Sequence, residues 1–524
     1  MPIQRQSRAL TLTTIAFFVA FLITGLLVFK DYGMSWDEIP PREFGVMNVA
    51  HQVPDAWTLD SVRTVKGPAY ERFGPVFEIL LVRAEMLARP ADMRATFLLR
   101  HLLTFLTFYL GVLLFHQLCR RRFGGGLALL ASLCLVLSPQ LFAHAFYNVK
   151  DISFLTSFVA TMLTLDTLLQ HPSARITLMH GVTTTIAMGT RVLGLFTVML
   201  TVVAAIALRP SRRTLLLLTG YGMLIAVLLP VVWPVLRIDP LGIVKNAVLG
   251  ATTNPYTKTN LFRGEQILAT ALPRDYVPTW ILITTPYVVT LLFLVGAGRV
   301  VTASIRQPRA IVRQEQMRDL IVFAWFFLPV VGCVVLRPIM YDGWRHLFFV
   351  YPALVYLAAI GMEALHAHAV ARFGNARRRS ITAGLTAALL LSLAPVCGFM
   401  FANHPFEHLY FNRLAGRDMA QVKQRFELDY WGLTYRPALE YIVRTDSSAI
   451  IRILVANFPG RVNALMLPAA DRARLRYVNS EEDADYFISN YRFHPEPYPV
   501  SPEVFSVRVG NASIASVFRI RHTP

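Results

Sequence analysis

Two adjacent carboxylates, Asp37 and Glu38, follow the first apolar segment of the chain almost at once, within the run Ser35-Trp36-Asp37-Glu38. The preceding stretch, Ala9–Phe29, is uncharged and about the length needed to cross a bilayer core. A tryptophan and a basic residue suit anchoring there; paired acids do not, because headgroup regions tend to carry negative charge. Placed where a lipid headgroup meets water, carboxylates can take a proton from a hydroxyl nucleophile or hold a cation. Other unusual polar residues punctuate the apolar stretches: Asn148, Lys150 and Asp151; Arg191 in Gly189-Thr190-Arg191; Arg263, Glu265 and Arg274; and Tyr341, Asp342, Arg345 and His346. Acids able to act as bases, beside cations able to hold an anionic group, suit a phosphate-bearing lipid. Each residue alone also fits a salt-bridged helix end.

The elements that must position these groups follow from composition. The 524 residues are 55% hydrophobic and 16% charged, where soluble domains run near about 25% charged. Spread over many long apolar runs, that deficit predicts an α-helical polytopic membrane protein. Ala9–Phe29 is too long for a signal h-region and no small-residue cleavage site precedes the acids, so it reads as a retained span. The net charge of +19 does not point to nucleic acid. Its arginines cluster at 120–122, at 209 and 212–213, from 306 to 318, and at 372 and 377–379, each in a short link between apolar runs, the pattern of cytoplasmic loops. The four cysteines, Cys119, Cys134, Cys333 and Cys397, lie singly and imply neither a metal site nor a disulfide framework.

With basic loops inside, about eleven spans are predicted, amino terminus cytoplasmic and carboxyl terminus outside. They are Ala9–Phe29, Phe97–Leu118, Gly124–Phe142, Ile152–Gln170, two short halves of Ile176–Leu208 broken at Gly189-Thr190-Arg191, Thr214–Trp233, Trp280–Val295, Leu320–Leu336, Leu347–Leu365 and Ile381–Phe401. The external segments are then 31–94, with helices at Pro40–His51 and Val76–Leu87 that suit either the membrane interface or short soluble helices, the short link Ala143–Asp151, Arg237–Thr279, Arg337–His346, and everything after Ala402. On this topology the polar residues named above gather on one side, where intramembrane and interfacial charges are functional by default. The chain divides into a transmembrane unit, 1–402, and a soluble external α/β unit, 403–524. The latter carries a helix Thr434–Val443 capped by Thr434, a buried strand Ile450–Val455, and a hairpin of Val504–Val509 with Ile514–Ile520 about Gly510-Asn511.

Several short runs taken in order resemble the GT-C superfamily of integral-membrane glycosyltransferases, and more closely glycosyltransferase family 39, the protein O-mannosyltransferase and aminoarabinose-transferase group. They are Asp37-Glu38 followed by Arg42; Ser138-Pro139 through Tyr147-Asn148-Val149-Lys150-Asp151; the Gly189-Thr190-Arg191 break; and Asp342-Gly343-Trp344-Arg345-His346 running into Tyr351-Pro352. The similarity spans roughly Ala9 to Phe401, and the tail with Phe426–Gly432 is similar to bacterial members that carry a soluble external domain. One departure is Arg191, where aminoarabinose-type members usually show a lysine.

The resemblance implies transfer of a sugar from a polyprenyl-phosphate donor to an acceptor hydroxyl of a lipid, glycan or protein, with inversion, at the outer face of the cell inner membrane. Asp37 would be the general base, Glu38 would orient the acceptor or hold Asp37, and Asp151 would be a second carboxylate in the same cavity. Lys150, Arg191 and Arg345 would hold the donor phosphate; Arg42, Tyr341 and His346 would contact substrate. No cofactor is required by these residues. Metal dependence varies across the superfamily, and His404-Pro405-Phe406-Glu407-His408 is a poor zinc pattern because the proline spoils a regular helix start. A transporter or lipid flippase also uses broken helices and interior charge, although here the acids fall in external loops and no inverted repeat is visible. A membrane scaffold would instead use Tyr430-Trp431 as an exposed aromatic anchor.

Overall fold

The computed structural model describes residues 8–49, 74–208, 211–237, 241–242, 245, 256–306, 314–500 and 502–520. Residues 50–73 of the first expected loop, most of 238–255 in the third, and Arg209 lie outside the described residues. The chain is a helical membrane bundle followed by a small sheet. Its helices are α1 (Arg8–Val28), α2 (Ile39–Asn48), α3 (Val76–Ala88), α4 (Met93–Phe123), α5 (Gly125–Val136), α6 (Pro139–Tyr147), α7 (Val149–Gln170), α8 (Ala174–Thr190), α9 (Leu195–Ala207), α10 (Arg212–Val232), α11 (Tyr276–Thr284), α12 (Tyr287–Arg306), α13 (Gln314–Leu336), α14 (Tyr351–Phe373), α15 (Arg378–Ala402), α16 (Met419–Arg425) and α17 (Tyr435–Thr445).

Every apolar run predicted to span is helical, but not every one is a full span. Among the described residues eight helices are long and apolar enough to cross a membrane, and α5 with α6, bent by 67° at their junction, make a ninth. The remaining two of the predicted eleven are α8 and α9, of 17 and 13 residues, separated by the predicted break. The bend in the third segment falls at Ser138-Pro139: Ser138 is extended and Pro139 opens the next helix, as a fixed φ and a missing N–H require. As a result the expected link Ala143–Asp151 is almost wholly helical, with only Asn148 standing between α6 and α7. The expected span Trp280–Val295 is also corrected. Thr285 is extended before Pro286, so Trp280 belongs to the separate α11 and the span itself is α12.

The most deeply packed helix is α14. Its crossing with α12 is set by two glycines: a Cβ on Gly296 would lie 1.8 Å from the Leu357 carbonyl oxygen, and one on Gly361 would lie 2.0 Å from that of Leu292. Small residues let two helix backbones touch where lipid gives no hydrophobic drive to association. At the bundle end far from Asp37, the arginines of the basic links are tied down. Arg122 pairs with Asp319 (3.1 Å) and Glu363 (3.2 Å), and Arg318 with Asp166 (2.5 Å).

The tail sheet has the order β4-β3-β5-β7-β6, with β3 (Ile451–Val455), β4 (Leu475–Tyr477), β5 (Tyr486–Ser489), β6 (Glu503–Val509) and β7 (Ala512–Arg519); a separate hairpin pairs β1 (Thr259–Phe262) with β2 (Glu265–Leu268). β3 runs parallel to both β4 and β5, and β7 antiparallel to β5 and β6. The β6–β7 hairpin turns where predicted, with Gly510 at φ +57°. Helix α17 begins after Thr434 without a side-chain cap; that hydroxyl donates instead to Asp429 at 2.5 Å. Two hydrophobic cores meet here. Phe426, Tyr430, Trp431 and Leu433 pack into the bundle core, whereas the core beneath the sheet begins at Tyr435. Tyr430 and Trp431 are 3% and 2% exposed, so they are not an external anchor.

Candidate active site

The loop between α1 and α2 sorts its polar residues by direction. Trp36 N–H donates to the Trp431 carbonyl (3.0 Å), which pins the loop to the tail. Glu38 turns inward: one carboxylate oxygen accepts from the Ser35 N–H (2.6 Å) and the other meets His101 Nε2 (2.9 Å). Arg42, one turn into α2, is buried against Glu85 (2.8 Å), which also pairs with Arg100. Glu38 and Arg42 therefore leave the neighbourhood of Asp37 and brace the loop from beneath. Consecutive residues of a turn face different ways, whereas the sequence expectation treats them as one face. Asp37, with 40% of its side chain exposed, stays at the surface of the site.

Around it the other predicted groups converge on Arg345. This guanidinium lies 3.0 Å from Asp37, 3.3 Å from Asp151 and 3.2 Å from Asp342. It also stacks over the rings of Trp431 and Tyr341, at 4.9 and 5.1 Å. Asp151 sits in the first turn of α7, where helix-end N–H groups favour an anion. The cap residue Asn148 accepts from the Asp151 N–H and donates to its carboxylate (2.9 Å). Arg191 occupies the α8–α9 break in extended conformation, and its guanidinium closes on Asp151. The break is held by close backbone contact: a Cβ on Gly74 would fall 1.8 Å from the Gly189 carbonyl oxygen. Lys150 lies within electrostatic reach of Asp37, Asp151, Arg191 and Arg345.

The Asp342–His346 run makes a turn that presents Arg345. Asp342 and Gly343 are left-handed, at φ 58° and 66°, and Trp344 locks the turn by donating to Thr284 Oγ1 at the end of α11 (2.9 Å). Tyr341 stacks on Tyr256 (4.2 Å) and meets the edge of His346 (4.9 Å); His346 Nδ1 is buried without a hydrogen-bond partner. Sequence reasoning named Asp342 as an unusual polar residue but gave it no role, although it joins the bundle arginine Arg345 to two residues of the tail. It accepts from Trp431 Nε1 (3.0 Å) and pairs with Arg492 (2.6 Å). Trp431 and Arg492 were missed as site residues. Nothing local marks them, because only the fold brings the tail against the bundle. His404 turns away to Asp31 (3.0 Å) and Glu407 (2.6 Å).

Taken together, Arg191, Arg345, Arg492 and Lys150 face Asp37, Asp151 and Asp342. Three fixed guanidiniums match three carboxylates in a largely buried setting, where an uncompensated charge is costly and an anion that displaces a carboxylate keeps the balance. Asp37 is the one carboxylate of the three that is substantially open to solvent, which makes it the one an incoming anion can displace.

No protein-family model matches the sequence, and no curated protein matches it. Solved structures do match. ArnT from Cupriavidus metallidurans bound to undecaprenyl phosphate superimposes with TM-score 0.53 at 14% identity, covering 98% of this chain and 98% of that one. Its apo state gives 0.51 at 13% identity, covering 96% and 98%. A more distant likeness, too weak to argue from, is to the archaeal oligosaccharyltransferase AglB from Archaeoglobus fulgidus (TM-score 0.43, 10% identity, covering 90% and 69%). From first helix to last strand, then, the chain has the architecture of ArnT, the GT-C membrane fold that its ordered motifs predict.

Proposed function

We propose that this membrane protein is a glycosyltransferase of the family 39 type, moving a sugar from a polyprenyl-phosphate donor onto an acceptor hydroxyl. The observation that carries the reading is the solvent-open carboxylate, Asp37, paired with an arginine inside a cluster of three guanidiniums and three carboxylates. That the similar ArnT has been solved with undecaprenyl phosphate bound supports a lipid monophosphate as the ligand class. On the positive-inside argument the site faces the extracytoplasmic side of the inner membrane, with the amino terminus cytoplasmic and the unit after residue 402 outside.

In the proposed step the donor phosphate takes the place of Asp37 on Arg345, with Arg191 and Lys150 alongside. Asp37, released, accepts the proton of the acceptor hydroxyl as its oxygen bonds to the anomeric carbon. The bond from that carbon to the phosphate oxygen breaks, its electron pair stays on the phosphate, and the configuration inverts. The leaving group is a polyprenyl monophosphate, which needs charge stabilisation more than a proton, and fixed guanidiniums supply it. Asp151 holds Arg191 and Arg345 in place. Glu38 and Arg42 fix the loop that carries Asp37.

The test is turnover of a polyprenyl-phosphate sugar by purified protein in detergent or nanodiscs with a hydroxyl acceptor. A glycosidic product in wild type, absent in folded Asp37→Asn, is expected. Flux of substrate across proteoliposomes without any glycosidic product would replace this reading with a transporter.

A further inference from the structure

We infer that Arg492, carried by the C-terminal unit, is a positioning residue for Arg345, acting through the carboxylate they share, Asp342. The inference rests on the donor reading above. It also gives the C-terminal unit a role, since the phosphate-holding arginine of the bundle is adjusted from outside the bundle.

The two oxygens of Asp342 are divided between two guanidiniums. Oδ1 is taken by Arg492 Nη2 at 2.6 Å. Oδ2 receives Arg345 Nη2 and Nε, at 3.2 and 3.3 Å, and the indole N–H of Trp431. Arg492 is itself held at several points. Nη2 donates to the Tyr256 hydroxyl (3.0 Å), Nη1 donates to the Tyr430 carbonyl oxygen, and the guanidinium lies over the Trp36 ring at 5.2 Å. It thus touches the residue next to Asp37 as well as the partner of Arg345. A planar fork with several donors can make all these contacts at once; an ammonium cannot.

Backbone conformation singles out the same contact from both sides. Asp342 is left-handed at φ 58°, and Arg492 is flanked by Tyr491 and Phe493 at φ 58° and 65°. Bulky side chains rarely adopt that region, and such strain persists where surrounding structure holds it, often at functional sites.

The electrostatic consequence is specific. Without Arg492, three carboxylates would face Arg191, Arg345 and Lys150, and Asp342 would draw Arg345 onto itself. With Arg492 present, Asp342 is already compensated, and the positive charge of Arg345 remains available to a phosphate. Glu427 lies beside both groups but does not absorb that charge. Burial, reinforced by Asp342 and opposed by Arg492, pushes its carboxyl up to about 8, so it is neutral at pH 7. Lys258, over the Trp36 ring at 4.7 Å, adds further positive charge on this side.

The test is binding of undecaprenyl phosphate to the full-length protein, with thermal unfolding measured in parallel. Arg492→Ala is expected to bind about tenfold more weakly, within the usual range of coupling between linked sites, and to melt lower because a buried pair is broken, so affinity is compared well below each melting transition. Arg492→Lys should recover only part of the loss. The decisive variant is Arg492→Ala combined with Asp342→Asn. If Arg492 acts by compensating Asp342, neutralising that carboxylate removes the need for it, and affinity should return toward wild type. A purely structural role predicts instead that affinity only follows melting temperature, lost and recovered with it through the series. Wild-type affinity in Arg492→Ala, or additive losses in the double variant, would overturn the inference. Should Arg492→Ala fail to fold, Arg492→Lys alone and combined with Asp342→Asn decides by the same criteria. A wild-type protein that binds no undecaprenyl phosphate would instead sink the donor reading itself.

Discussion

Two dense, buried charge clusters lie close together in this molecule, and they are built to opposite ends. Around Arg100, the acids Glu38, Glu78 and Glu85 face Arg42, Arg100 and His101, with every partner at most 8% exposed. Carboxylates match or exceed fixed positive charge there, and burial raises the Glu78 carboxyl against the pull of Arg100. Around Arg345 three arginines face three aspartates, and one of these carboxylates, Asp37, stays 40% exposed. A sealed network whose acids and bases pair among themselves stabilises its neighbours. A network with one solvent-open, replaceable member is prepared to receive a ligand. Burial and ion pairing alone do not mark a site; a partner that a ligand can replace does.

The sharpest way to break that comparison is to neutralise the replaceable member. Asp37→Asn should lower turnover by about 10²–10⁴-fold, the usual contribution of a positioned base, while leaving undecaprenyl phosphate affinity unchanged or tighter. The tightening would follow because the phosphate no longer competes with a carboxylate for Arg345. Lipid affinity that falls together with turnover would refute the exchange.

The counterpart in the sealed cluster should act on stability. Glu85→Gln leaves Arg42 and Arg100 without their shared anion, and breaking a buried pair costs about 3–5 kcal/mol. The expected signature is a marked drop in melting temperature. Any loss of turnover should follow only from displacement of the Asp37 loop and should be recovered at low temperature. A fully stable Glu85→Gln variant would show that the cluster is not the brace assigned to it.

A third prediction tests the edge of the Arg345 cluster by pH. Glu427, at the tail side of the Arg345 cluster, holds its proton up to about 8 when folded, against 4.5 as the ordinary value. Between those values the folded state binds more protons than the unfolded one. Stability from this group is therefore complete below about 4.5 and declines as pH rises toward about 8. Glu427→Gln should flatten that decline, read as melting temperature against pH. An unchanged slope would mean that Glu427 is already ionised at neutral pH.

The bundle was legible in the sequence because lipid enforces a simple rule: uncharged runs of sufficient length become helices, and their ends carry the charges. That rule also gave Asp37, Asp151, Arg191 and Arg345 as groups on one side, and those four meet in the structure. Adjacency misled where it was used as a proxy for direction. Glu38 is bonded to Asp37 in sequence, yet its carboxylate points to His101. Proline effects at Ser138-Pro139 and Thr285-Pro286 were visible in principle and would have divided two predicted spans. The contacts of Trp431 and Arg492 had no local signal at all. Asp342 and Arg492 are 150 residues apart, and nothing in either neighbourhood specifies the other.

The smallest expected effect concerns a pair that sequence reasoning could not distinguish from site residues. Arg263 was one of the unusual cations on the expected external face. In the structure it is left-handed at φ 56° and pairs with Asp275 at 2.6 Å, with about half of each side chain in solvent (50% and 48%). Water screens such a pair, and exposed ion pairs contribute about 0–1 kcal/mol. Arg263→Ala should therefore leave turnover and undecaprenyl phosphate affinity within about twofold of wild type and shift stability by no more than that energy. It removes a positive charge from the same face as Arg345 and Arg492 without touching the Asp342 network. A large loss of lipid affinity in this variant would mean that the overall positive field of the face holds the phosphate. Unchanged affinity, set beside a loss in Arg492→Ala, would assign binding to local compensation at Asp342.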